Sequence, residues 1–244
     1  MQVNLFFETA YFSCKRKKIS DSFFCMKNIL SLVLLHFCVV PAFALDLGSL
    51  VKSAAGETGD NAALKEKQTA MVSAYTESKQ NLLKGYSLVM EALGQDSISK
   101  EANDALKAVD NKKSEITADE ISKLSSGIAE KAEASLLKDV PAQVSDDLKK
   151  KYAEGLDYFK KALEGELDAG KQALEIAEET KKLMASGTAV ERIKLAKSFE
   201  PTMTLAKTIP SDISAMKKNV SSLVELGKSR KVEIPNALMS LLGK

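Results

Sequence analysis

The chain of 244 residues carries 35 basic and 33 acidic side chains, three cysteines, a single histidine and no tryptophan. His36 and all three cysteines, Cys14, Cys25 and Cys38, fall within the first 44 residues. If that stretch is removed on export, no imidazole or thiol remains, which excludes Cys/His metal sites, histidine-based proton relays and cysteine nucleophiles.

Met26-Lys27-Asn28 supplies a positive start, and Ile29 to Val40 forms a nearly unbroken apolar run. That run is shorter than the roughly 20 residues of a spanning helix. It suits a secretory signal, because Pro41 follows it and Ala42-Phe43-Ala44 places small residues at the −3 and −1 positions. We therefore expect residues 26–44 to be a cleaved signal peptide, with the mature chain starting at Leu45. Residues 1–25, with the basic run Lys15 to Lys18, read as an upstream extension or a long n-region. Setting residues 1–44 aside leaves 30 basic and 31 acidic residues. This balance lacks the basic footprint of nucleic-acid binding.

Richness in Ala, Leu, Lys and Glu with few aromatic residues predicts an all-α protein. Residues 45–60 read as a short apolar helix and linker, closed by Gly56-Glu57-Thr58-Gly59-Asp60. Residues 61–244 read as a single helical-bundle domain. Its first long helix starts near Asn61, with Leu64, Met71, Tyr75, Leu82, Tyr86, Val89 and Leu93 on one stripe and Gly94 at its end. Gln68, Ser78 and Lys79 interrupt or border that stripe.

A second helix is expected over 99–111 through Ala102, Leu106 and Val109. Thr117-Ala118-Asp119-Glu120 has capping-box form and opens a third helix, carrying Ile121, Leu124, Ile128 and Leu136 and ending at Asp139-Val140-Pro141. The longest helix comes next, from Pro141 or Ser145 to Ala185, with Leu148, Tyr152, Leu156, Phe159, Leu163, Leu167, Leu174 and Ala177 on one side and Ser186-Gly187 as its stop. A second capping box, Thr188-Ala189-Val190-Glu191, opens a helix with Val190, Ile193, Ala196 and Phe199 inward. Pro201 and Pro210 are expected to divide the remaining chain into a segment from about Ser211 to Leu226 and a last short helix from Pro235. The whole reads as an elongated antiparallel bundle with two long helices and several shorter, proline-broken ones.

Gly165 to Lys171 matches the glycine and lysine spacing of a P-loop, but Gln172 stands where a magnesium-binding hydroxyl is needed and the residues lie inside a helical pattern. Gly170 there is better explained by close helix approach or a bend. Glu164, Glu166, Asp168, Glu175, Glu178 and Glu179 alternate with Lys161, Lys171, Lys181 and Lys182, the pattern of a solvated helix face. Neither a metal site nor a cofactor site is expected, and no assembled motif supports an enzyme.

Tyr75, Tyr86, Tyr152 and Phe159 sit on the stripes of the two longest helices. They read either as core packing or, with Gly170, as the wall of a groove for an apolar ligand. The apolar ends, Leu45 to Val51 and Ile234 to Leu242, read as caps on an open bundle end, or as a lid or interfacial anchor helped by Lys228, Arg230 and Lys231. The expected function is non-enzymatic: an exported, periplasmic or secreted bundle that binds or scaffolds an envelope or extracellular protein. The alternative is a carrier for a lipid-like ligand. Neither reading needs a nucleic-acid partner or a transmembrane segment in the mature chain.

Overall fold

Local capping chemistry sets several of the helix boundaries. The computed structural model describes residues 60–112, 116–136 and 143–243. Six helices account for most of them: α1 Asp60–Ala92, α2 Asp96–Lys112, α3 Ala118–Leu136, α4 Asp146–Ser186, α5 Ala189–Ser229 and α6 Asn236–Leu242. There is no strand among the described residues.

Helix α1 ends where Gly94 adopts φ 70°. This left-handed turn lets the Gln95 N–H donate to the Met90 carbonyl at 2.8 Å, satisfying an acceptor that the helix end would otherwise orphan. Both predicted capping boxes form. The Glu120 carboxylate accepts from the Thr117 N–H at 2.9 Å while the Thr117 hydroxyl accepts from the Glu120 N–H at 3.1 Å. Thr188 and Glu191 repeat the arrangement at the start of α5. Ser145 caps α4 by accepting from the Leu148 N–H. The predicted signal peptide, the apolar segment 45–55 and the stop at 139–141 lie outside the described residues.

Helices α1, α4 and α5 form the long frame, with α1 and α5 each antiparallel to α4. Helix α1 approaches α4 closely at two glycines. A Cβ on Gly155 would stand 2.6 Å from the Val89 Cγ2 and 3.0 Å from the Gly85 carbonyl oxygen, and one on Gly85 would stand 2.8 Å from the Phe159 ring. Glycine is required at both places because neighbouring backbone and ring occupy the space. Helices α2 and α3 cover one end of α1. Helix α6 packs on α4, with Leu238 fully buried and Ile234, Met239, Leu241 and Leu242 packed partly buried against the same core. The carboxyl-terminal apolar patch therefore caps the bundle.

The interior divides into two main apolar clusters. One gathers Leu82 to Ala92 of α1 with Leu93 just past its end, Tyr152 to Leu163 of α4 and Met216 to Val224 of α5, with contributions from α2, α3 and α6. The other gathers Leu64 to Tyr75 of α1, Ala169 to Ile176 of α4 and Leu195 to Ile209 of α5, with Ala118 of α3. Each long helix passes between the two clusters across an intervening stretch of roughly one and a half turns, and those stretches carry Ser78 and Lys79, Glu166, and Asp212.

Three sequence expectations need correction. Pro201 and Pro210 do not divide the chain; both lie inside the continuous 41-residue α5. A proline inside a helix removes a backbone hydrogen bond and costs about 3 kcal/mol, but α5 is held along α4 and tied to α1 just after each proline, at Thr202 and at Asp212. Val190 and Ile193, expected inward, are 64 % and 59 % exposed, and Leu174 on the α4 stripe is 54 % exposed. Val190 and Ile193 precede Leu195, the first buried residue of α5, and Leu174 faces outward between the buried Ala173 and Ile176. Glu166, expected on a solvated face, is fully buried.

Candidate functional site

The polar layer between the two clusters concentrates the buried chemistry of the described residues. Lys79 projects from α1 into the bundle, where its Nζ donates to Glu166 Oε1 of α4 at 2.9 Å and to Asp212 Oδ2 of α5 at 3.2 Å. The same Asp212 oxygen accepts from the Tyr75 hydroxyl at 3.1 Å. The ammonium also stands 4.9 Å from the centre of the Tyr75 ring, a distance at which the ring quadrupole attracts a cation. One buried cation thus ties the three long helices together.

Small residues make room for this layer. Ser78, one residue before Lys79, donates to the Ala162 carbonyl at 2.7 Å, and Gly165 lies so close to Ser78 that a Cβ there would stand 3.2 Å from the serine Cβ. Nearer the start of α1, Gln68 is buried and donates to Thr202 Oγ1 at 2.7 Å and to the Ser198 carbonyl at 3.3 Å.

Electrostatics follow from burial. Loss of solvent pushes the Glu166 carboxyl above its ordinary range, opposed by the Lys79 charge beside it and reinforced by Asp212. For Lys79, burial by itself favours the neutral amine, but Tyr75 and the two carboxylates outweigh it and the amine is held above its ordinary value. Burial likewise raises the Tyr75, Tyr86 and Tyr152 phenols. A lysine kept protonated and bound by two carboxylates is not a nucleophile, and Glu166, bound to that cation, is not a free base. The arrangement is suited to fixing the register of three helices.

The residues singled out from the sequence divide between the two cores. Tyr86 and Phe159 meet edge to face, with ring centres 4.9 Å apart, and both are buried. Tyr152 is buried in the same cluster and donates to the Leu223 carbonyl at 2.6 Å. Tyr75 belongs to the other cluster and to the polar layer. Gly170 is apart from all four; it receives Ile209, whose Cγ2 would stand 3.0 Å from a Cβ there, in keeping with the expected close helix approach. A cavity of about 10 Å³ adjoins Tyr86, between α3 and α5. Two open surface grooves among the described residues, of about 370 and 390 Å³, run along α2, the first lined by Ala108, Ile116 and Leu124 with Lys112, Glu120 and Lys123, the second by polar side chains.

Lys79, Glu166, Asp212, Gln68 and Thr202 were not selected from the sequence. The signal it did hold was the interruption itself: Gln68, Tyr75 and Lys79 keep helical spacing along a stripe that is otherwise apolar, and Glu166 falls seven residues after Phe159. The P-loop-like stretch lies within α4, as its helical context implied. No group of three or more potential metal ligands occurs among the described residues, and no helix among them is long and apolar enough to cross a membrane. These features define an all-α bundle with a polar layer at mid-length. Compared with protein-family models, curated proteins and solved structures, the chain matches none.

Proposed function

We propose that this chain is an exported, non-enzymatic helical module that acts by binding or scaffolding another protein of the cell envelope. The observation that supports this reading is the internal use of its buried chemistry. The Lys79 ammonium, the Glu166 and Asp212 carboxylates and the Tyr75 and Tyr152 hydroxyls all have partners within the protein. Recognition then falls to the outer surface, which is rich in both charges. The apolar run and Ala42-Phe43-Ala44 support export.

A carrier holding an apolar ligand between the long helices is less well supported. The cavity beside Tyr86, about 10 Å³, has room for about one water, so a lipid chain seated there would require α3 and α5 to separate.

Native mass spectrometry of protein purified from its host's envelope tests the proposal. We expect an amino terminus at Leu45 and a second protein chain bound at fixed stoichiometry. A lipid bound at fixed stoichiometry with no partner chain would replace the proposal with the carrier, and a product retaining Cys38 would overturn the export argument.

A further inference from the structure

The turn joining α4 to α5 is an exposed tip. Every residue from Ala185 to Lys194 is exposed except Gly187, which is half-buried. Beneath it Leu183, Met184, Leu195 and Phe199 pack into the second cluster, so the tip is anchored to the body. Local hydrogen bonds also brace it. The Thr188–Glu191 capping box starts α5, and the Arg192 side chain donates back to the Gly187 carbonyl at 2.9 Å.

Two properties of this tip stand apart from the rest of the molecule. Val190 and Ile193, one helical turn apart, are the most exposed large apolar side chains among the described residues, at 64 % and 59 %. Around them, Lys181 to Lys197 holds five basic residues and one acidic one, whereas the rest of the chain from Leu45 onward is acidic overall. The acidic residues of α4 begin below the tip, at Glu178 and Glu179, and Glu179 is tied to Lys67. The other basic end, with Lys228, Arg230 and Lys231, lacks this combination, because Val232 and Leu238 beside it are buried.

We infer that the α4–α5 tip docks on an anionic lipid surface, seating Val190 and Ile193 at the headgroup boundary while the surrounding lysines meet lipid phosphates. Charge complementarity selects a negative surface. Shape and area select a bilayer over an acidic protein: a stable protein interface takes roughly 20–30 residues a side, far more than one exposed turn supplies, whereas a fluid bilayer accepts a convex tip without a matching groove. Basic side chains add attraction to anionic lipid, and salt weakens it. Such docking is peripheral and reversible. It goes beyond the proposed protein-binding role by giving the module a surface on which to work.

Vesicle flotation with the exported protein tests the inference, comparing phosphatidylcholine vesicles with vesicles containing about one-third phosphatidylglycerol. The expected result is binding to the anionic vesicles alone, reduced by salt. Val190→Ser with Ile193→Ser, and separately Lys181→Gln, Lys182→Gln, Lys194→Gln and Lys197→Gln combined, should each weaken binding by more than about tenfold. Lys228→Gln with Lys231→Gln, at the opposite end, should leave it unchanged. Circular dichroism of each variant should match the parent, since the altered side chains are not part of the core. Absence of binding to anionic vesicles would overturn the inference, as would equal losses from the two ends, which would indicate nonspecific charge attraction. If the tip variants bind vesicles normally but lose a protein chain found by native mass spectrometry, the tip is a protein contact and the lipid inference fails while the proposed function stands.

Discussion

Lys79 and Glu166 meet at 2.9 Å with side-chain exposures of 4 % and 0 %, an ion pair removed from water at the level where the two apolar clusters of the bundle part. A buried pair of this kind gives little net stability over a well-packed apolar replacement, because desolvating both charges offsets their attraction. Its effect is on uniqueness: sliding α1 along α4 by one turn would leave an ammonium and a carboxylate unpaired between the cores.

This relationship predicts an asymmetric mutant cycle. Lys79→Met should destabilise by about 3–5 kcal/mol, because it strands the Glu166 carboxylate. Lys79→Met combined with Glu166→Leu should recover most of that loss. Urea unfolding of the single and double variants measures the difference, and strictly additive losses would contradict a coupled pair.

The same pair predicts a pH dependence. The folded-state pKa of Glu166 is raised by burial above its ordinary 4.5. The native state therefore holds the proton more tightly than the unfolded chain, and the associated stability is present below 4.5 and lost as pH rises through the folded value. Relative to Glu166→Gln, the parent protein should become less stable as pH rises from 4.5. Lys79 leaves that window unaffected: its raised pKa contributes stability fully present below 10.5 and lost only as pH passes its folded value. Chemical denaturation of both proteins across acidic to neutral pH reads the sign, and a parent that gains stability relative to Glu166→Gln over that range would contradict it.

Helix crossing at Gly155 predicts opposite outcomes for one substitution at two glycines. Gly155→Ala should destabilise by about 1–3 kcal/mol, since its methyl meets Val89 at 2.6 Å and the Gly85 carbonyl at 3.0 Å. Gly127→Ala, in α3 with no atom within 4 Å of the added methyl, should stabilise by up to about 1 kcal/mol through helix propensity. Thermal melts decide the matter, and a stabilised Gly155→Ala would refute the close crossing.

At the aromatic cluster, Tyr152→Phe should cost about 0.5–1.5 kcal/mol, the net value of its bond to the Leu223 carbonyl. Leu163→Ala, fully buried in the same cluster, should cost about 2–5 kcal/mol through the cavity it leaves. Saturable binding of a fluorescent fatty acid to delipidated protein, abolished by Gly170→Leu with the bundle still folded, would revive the carrier reading.

Because residues 45–244 contain neither cysteine nor histidine, helicity and melting temperature of the exported protein should not respond to reductant or chelator. A large fall in melting temperature with chelator would reveal a carboxylate-bound metal.

Where helices begin and end was legible in the residue order alone, because those decisions are made by atoms a few residues apart. Thr117 with Glu120, Thr188 with Glu191, and Gly94 each satisfy backbone groups in their own turn of chain, so their residue types are sufficient evidence. Periodicity also placed Tyr75, Tyr86, Tyr152 and Phe159 on buried faces, since a stripe of large apolar groups must leave water wherever it packs. The rest was settled by packing between distant parts of the chain. Glu166 and Lys79 are read locally as surface charges, and become interior ones because residues 87 positions apart bring opposite charges together. Pro201 and Pro210 locally favour a break, and are overridden by packing and by side-chain ties from α1. Val190 and Ile193 follow an inward pattern but lie exposed ahead of Leu195, the first buried residue of α5. Burial depends on which helix lies opposite, and that is set by the sum of distant contacts.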